Sequence, residues 1–190
     1  MESVKDLLME IKEQSELIVD LAYSALIFDS EDMANEVEKL EKEMDDLVYK
    51  IRIKTMLAAN NINEAEQLSG ILEVADAAKN IANAATDIVY LLDMDITLRP
   101  FLPSLFSQAD EKLHVIMISD KSDIINRTIG ELNIEAETGV RIIAIKRGKR
   151  WIYDPEGDVR IKANDVLIVR GTEDGYEFME KVARGEESWE

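Results

Sequence analysis

Cysteine is missing from the 190 residues, and histidine occurs once. No disulfide framework, thiol nucleophile or zinc–thiolate site can be built from such a chain. The lone histidine, His114, can assemble neither a catalytic triad nor a zinc site, and it reads as a packed structural residue. Glycine is scarce, at 8 residues, and none of them falls into G-x-G-x-x-G or P-loop spacing. The usual cradles for a dinucleotide or a triphosphate are therefore absent. No constellation for catalysis remains, and we expect a protein that is not an enzyme. Long apolar runs are also missing; none approaches the roughly 18 residues that span a bilayer. The first residues lack a basic segment followed by an apolar core, as a signal peptide would have. These features predict a soluble, cytoplasmic chain without a transmembrane segment. Cations are outnumbered, 22 against 40 acidic residues, for a net charge of −18. Nucleic-acid affinity depends on basic neutralisation of phosphates, so that charge argues against nucleic acid as a partner.

The charge is unevenly spread. Residues 1–110 hold 9 basic and 23 acidic residues, whereas residues 111–190 hold 13 and 17. That step supports a boundary near residue 110 between two domains. In the first, apolar residues recur at steps of three and four over 4–28, with Val4, Leu8, Ile11, Ile18 and Ala25 expected to face a core. Ser30 is a plausible N-cap for a second helix, whose stripe runs through Met33, Val37, Leu40, Met44, Leu47 and Ile51. Asn60-Asn61 ends it, and Asn63 with Glu66 reads as the capping box of a third helix over about 64–93. That helix is alanine-rich and apolar round most of its circumference, which predicts burial among other helices. Three such helices with short loops predict an antiparallel bundle over 1–95. Residues 96–110 read as a linker, with Pro100 and Pro103 making a packed hinge of 96–106.

Beyond it the period changes. Leu113–Ile118, Val140–Ile145, Arg150–Tyr153 and Val166–Val169 are short, β-rich runs bounded by turn residues, and Arg147-Gly148-Lys149 turns the second into the third. Thr128–Leu132 and Glu173–Val182 are the helical candidates to cover the resulting sheet. Gly139, directly before a strand, is expected at positive φ. The expected class is α+β: an N-terminal antiparallel helical bundle, then a small α/β domain over 111–190 with a hairpin-containing sheet.

Several short stretches of this second domain stand in order at one spacing: Thr128-Ile129-Gly130-Glu131-Leu132, Thr138-Gly139-Val140, Ile143-Ala144-Ile145-Lys146-Arg147, Asp165-Val166-Leu167-Ile168-Val169 and Gly171-Thr172. Together they resemble the TrkA-C domain, the C-terminal RCK domain, over residues 111–184. Asn126 and Asn164 stand where that family usually has Gly; Asn tolerates positive φ best among the other residues, so both turns are expected to survive. Glu41-Lys42-Glu43-Met44-Asp45 matches the E-x-x-x-D element of PhoU-type helical domains, which the bundle resembles over roughly residues 1–95. The second such element is lost, its place reading Lys79-Asn80-Ile81-Ala82-Asn83. The resemblances imply a regulatory protein of potassium, or more broadly monovalent cation, transport. It would be a homodimer or higher even oligomer that senses a small ligand and acts on a membrane potassium channel or transporter, peripheral to the membrane. The alternative they imply is a metal- or phosphate-responsive adaptor of a phosphate transport system.

Two candidate sites follow. Glu38, Glu41 and Asp45 share a helix face, and carboxylates three and four apart could ligate a divalent metal, as PhoU-like elements do. A solvated acidic flank with Glu38 paired to Lys42 is the stronger reading, because the second element is missing. In the second domain eight cations gather in the strand region, among them Arg141, Lys146, Arg147, Arg150 and Arg170. Arg141 is expected to share a strand face with Ile143 and Ile145, where a cation needs an anion or a carboxylate. Pairing of these cations with neighbouring Glu and Asp residues is the slightly stronger reading, since surface ion pairs are commonplace. In some TrkA-C domains a cyclic dinucleotide binds at the dimer interface beside this strand. By that resemblance Arg141 and Ile142, with the nearby Arg150, are the candidate contacts for a small anionic ligand such as a nucleotide second messenger.

Overall fold

The computed structural model describes residues 3–92 and 109–189. The chain divides into two compact units, residues 1–97 and 98–190. The expected hinge at 96–106 lies outside the described residues.

The first unit is a bundle of three helices, α1 (Val4–Phe28), α2 (Glu31–Ala58) and α3 (Ile62–Val89), followed by a short 3₁₀ turn at Tyr90–Leu92. Each helix begins on a side-chain cap that satisfies orphan amides of its first turn. Ser3 accepts from the Asp6 amide while Asp6 returns the bond, closing a capping box. Ser30 caps α2 as expected, accepting from Met33 N–H. The cap of α3 is Asn61, two residues before the expected Asn63, and Glu64 reaches back to the Asn60 amide. Asn60 and Asn61 thus start the third helix, because an Asn at either place offers the same short acceptor and only the chain's turn selects between them.

The stripe on α2 is buried at every expected position. On α1 the inward residue of the first turns is Leu7, and Leu8 is only half-buried. The greater departure is α3. Its buried residues are confined to Ala75, Ala78, Ala82, Ala85 and Val89, so the helix is not enclosed. It is α1 that is buried round most of its second half, from Leu17 to Leu26. Alanine content signals close approach along one seam rather than burial all round, which is why composition misjudged it. Gly70 has open space where a side chain would be, so it marks no close helix contact.

The second unit is a four-stranded antiparallel sheet in the order β1-β4-β2-β3, made of β1 (Lys112–Met117), β2 (Val140–Arg147), β3 (Arg150–Tyr153) and β4 (Val166–Gly171). One face is covered by the short helices α4 (Ile129–Leu132) and α5 (Ile134–Thr138) and by α6 (Glu173–Arg184). Ile116, Ile142, Ile145, Leu167 and Val169 point into that core, where they meet Met179 and Val182 of α6. The turns behave as the sequence implied. Gly139 ends α5 at φ 69°, and Asn126 and Asn164 hold φ 66° and 65° without glycine. Gly175 allows α6 to start against the end of α5, since a Cβ there would stand 2.2 Å from the Thr138 carbonyl oxygen.

Candidate ligand-sensing face of the sheet

Strand pairing decides which residues of β2 share a face. Arg141 stands opposite Arg170 of β4 and Ile142 opposite Val169, but Ala144 is the next residue in register, opposite Ile168. Ile143 is therefore the extra residue of a β-bulge. The bulge reverses the alternation beyond it. Val140, Ile142 and Ile145 face the core, whereas Arg141, Ala144 and Lys146 face the other way. The expectation that Arg141 shares a face with Ile145 fails for this reason.

The side of the sheet away from the helices carries two kinds of group. The first is cationic. Arg141 and Arg170 are directly opposed across the strands, where like charges repel, and each leans on a carboxylate of its own. Arg141 Nη2 lies 3.3 Å from Asp154 Oδ1, and Arg170 Nε lies 3.1 Å from Glu111 Oε2. The second is aromatic. Register places Tyr153 opposite Ala144 and Trp151 opposite Lys146, and the two rings stack with centroids 5.8 Å apart. Lys146 Nζ sits 5.0 Å from the centre of the Trp151 ring, within cation–π range. Val115 and Met117 of β1 extend the same face with exposed apolar side chains. A face with paired guanidinium groups beside stacked rings can hold an anion and a planar group together.

The other sequence-predicted residues are placed differently. Ile142 is buried on the core side, so only its main chain reaches this region. Arg150 is exposed and opposite Arg147, at the far end of β2 from Arg141. It makes no ion pair among the described residues. Arg147 belongs to a separate arrangement. Its Nε and Nη2 donate to the two oxygens of Asp165 at 2.8 and 2.7 Å, and Nη2 also donates to the Arg160 carbonyl at 2.7 Å. The Lys162 amide adds a bond to Asp165 Oδ2 at 2.8 Å. Asp165 is 0% exposed, and its bond raises the Arg147 pKa further above the ordinary guanidinium range. This is a closed structural clamp. The sequence placed both residues in strand motifs without pairing them; it showed Arg170 only as one of the gathered cations and gave Trp151 and Tyr153 no role. Cross-strand register is what unites them, and only the outward phase of both strands could have hinted at it.

His114 occupies the core side of β1. Its ring stacks on Tyr176 of α6, with centroids 3.8 Å apart and planes 8° from parallel. Nε2 is buried with no hydrogen-bond partner among the described residues, and burial lowers the pKa below the ordinary histidine value.

In the helical unit Glu38, Glu41 and Asp45 do lie along α2, but Asp45 is engaged by the Lys79 ammonium of α3. Lys79 stands where the second acidic element is missing, so a cation from the chain occupies the side from which further oxygen ligands would come. Further along the same seam, Arg52 and Asp76 repeat the link with the charges exchanged. Lys39, rather than Lys42, makes the ion pairs along the helix, with Glu36 and Glu43. Among the described residues no three metal-ligating side chains converge. The acidic trio therefore does not fit a two-element metal cluster.

Comparison with known proteins agrees with the division into units. Residues 113–183 match the TrkA-C domain and residues 8–92 the PhoU domain. Probable potassium channel protein 2 of Methanocaldococcus jannaschii is 26% identical over 77 residues, which are 40% of this chain and 22% of that protein. Ktr system potassium uptake protein C of Bacillus subtilis is 34% identical over 67 residues, 35% of this chain and 30% of that protein. The chain thus spans less than a third of either relative. Among solved structures, the RCK_C domain dimer of S. agalactiae BusR in complex with c-di-AMP is 31% identical and covers 37% of this chain and 93% of its own, with a TM-score of 0.36. No described helix is long and apolar enough to cross a membrane. The chain thus joins a stretch that matches the PhoU domain to one that matches the TrkA-C domain.

Proposed function

We propose that the protein is a cytoplasmic, non-enzymatic regulator of potassium transport whose TrkA-C domain senses a small anionic ligand of the nucleotide second-messenger kind. The observation that carries this reading is the opposed pair Arg141 and Arg170 beside the Trp151–Tyr153 stack. Two guanidinium groups across neighbouring strands repel unless anions neutralise them, and in the protein alone Asp154 meets Arg141 and Glu111 meets Arg170. A phosphate bridging the two arginines would relieve that repulsion, and a base would find rings to stack on. The site is shared between two copies, with ligand favouring one arrangement of the dimer, and a membrane potassium channel or transporter reads that population shift. The TrkA-C match and the potassium-transport names of the relatives support the assignment.

Thermal shift with a panel of mono-, di- and cyclic nucleotides tests it. Ligand at 100 times its dissociation constant stabilises the folded form by about 2.7 kcal/mol. Arg141→Ala and Arg170→Ala should each remove most of that shift. Arg170 stands opposite Arg141 and is read as part of the same proposed site. Lys162, exposed and away from this face, is the proper control. A panel without a single shift, or both arginine variants responding like the parent, would overturn the reading. The PhoU match over residues 8–92 favours a second reading, an adaptor of a phosphate transport system. Capture from membranes of a phosphate system, with no potassium transporter, would select it.

A further inference from the structure

α3 carries a second apolar stripe that its own bundle leaves uncovered. Gly70, Val74, Ala77, Ile81, Ala84 and Ile88 follow one another at alternating steps of four and three. Each stands one residue before a member of the buried alanine seam or in line with it, so the stripe lies about 100° round the helix. Val74 is 56% and Ile81 42% exposed, and Gly70, Ala77 and Ala84 are exposed as well. The order of sizes is regular. β-Branched residues occupy one heptad position (74, 81, 88), and Gly or Ala occupies the other (70, 77, 84).

That alternation selects a partner. If two such helices ran parallel, large would meet large at 74, 81 and 88, and small would meet small between them, leaving gaps. Run antiparallel, each layer in which the two stripes overlap sets a β-branched side chain against Gly or Ala, the interdigitation that close packing requires. The stripe is thus complementary to itself under a twofold axis, as an isologous interface must be. The flanking charges narrow the register. An axis between Ala77 and Ile81 would bring Glu73 beside Asp87 of the second copy. An axis between Ile81 and Ala84 instead sets the neutral Asn80 beside Asp87, with Ile81 over Ala84 and Ile88 over Ala77 of the second copy.

We infer that α3 pairs antiparallel with α3 of a second copy of this chain, about a twofold axis between Ile81 and Ala84, joining two three-helix units into one six-helix assembly. This seam lies wholly within the helical unit. It stands whether or not the other unit binds a ligand.

The chain has no cysteine, so introduced thiols are the sole ones present. Chains bearing Ala77→Cys and Ile88→Cys, carrying different tags, are co-expressed at full length and oxidised gently. We expect a disulfide joining the two tags, since residues 77 and 88 of opposite copies fall in one layer within bridging distance. Gly70→Cys alone and Ile88→Cys alone should give no cross-linked dimer. Adding Ala84→Glu to both chains should abolish the mixed cross-link while leaving helicity unchanged, because Ala84 is exposed in the single unit. Absence of the mixed cross-link in folded chains overturns the inference, and with it the face belongs to some other occupant. Self-cross-linking of the Gly70→Cys or Ile88→Cys chain, or persistence of the mixed product with Ala84→Glu, overturns it equally. A nucleotide panel that fails with the cross-link intact would fault the sensing proposal alone.

Discussion

Of the ion pairs that tie neighbouring elements together, one from each unit shows how unlike in kind they are. Asp165 and Arg147 join the entrance of β4 to the end of β2, with the carboxylate wholly buried and accepting three hydrogen bonds. Asp45 and Lys79 join α2 to α3, with side chains 45% and 37% exposed. A buried carboxylate is tolerable only with its partners in place, so the first pair admits one geometry. The second sits in water, where screening leaves it little net worth. The sheet unit thus fixes its register with polar contacts of defined direction. The helical unit relies on apolar seams and uses charge as trim.

The contrast can be broken first at Asp165. Asp165→Ala leaves the Arg147 guanidinium and the Lys162 amide without their acceptor, and we expect a loss of about 3–5 kcal/mol. Both tryptophans, Trp151 and Trp189, lie in the sheet unit. Their fluorescence should therefore melt early while the helical ellipticity holds. Gly139→Val comes next. A β-branched residue at φ 69° is strained, at roughly 1–3 kcal/mol. No neighbour would touch the new Cβ, so backbone strain acts alone. Melting like the parent would show that α5 ends in another way.

The pH dependence should be smaller. The folded state depresses the His114 pKa through burial, so the unfolded chain binds this proton more readily. Stability from this group is intact above the ordinary value near 6.5, and it declines as pH falls below that value toward the lowered one. His114→Phe keeps a ring on Tyr176 and should flatten that part of the fluorescence-monitored profile. An unchanged slope would mean that carboxylates alone set it. Least of all, Lys79→Ala should change the helical transition by about 0–1 kcal/mol. A loss like that at Asp165 would erase the contrast between the units.

What could be seen in the residues beforehand follows the same divide. Elements with a plain period were legible: the α2 stripe, the four strands and the turns at Asn126, Gly139 and Asn164 all announce themselves in local chemistry. Relations across elements were not. Arg141 and Arg170 are 29 positions apart in sequence, and nothing local to either reveals that the ladder sets them side by side. The inward phase of Ile145 was hidden by a bulge, since an extra residue leaves the pattern of apolar letters unbroken in a run of isoleucines. α3 misled because alanine is at once a good helix former and a marker of close packing, and the two uses look alike in composition.

The bulge at Ile143 has an evolutionary side. Arg141 and Arg147 are six positions apart on one strand, and unbroken alternation would turn both to the same face. One inserted residue puts them out of phase, with Arg147 locked into a buried clamp and Arg141 turned outward. Selection can then act on the two ends of β2 separately. The outward end is free to trade its side chains without disturbing the clamp, while the inward end keeps the fold in register. Deleting that single residue would couple the two again, making every change at the Arg141 end also a change at the clamp.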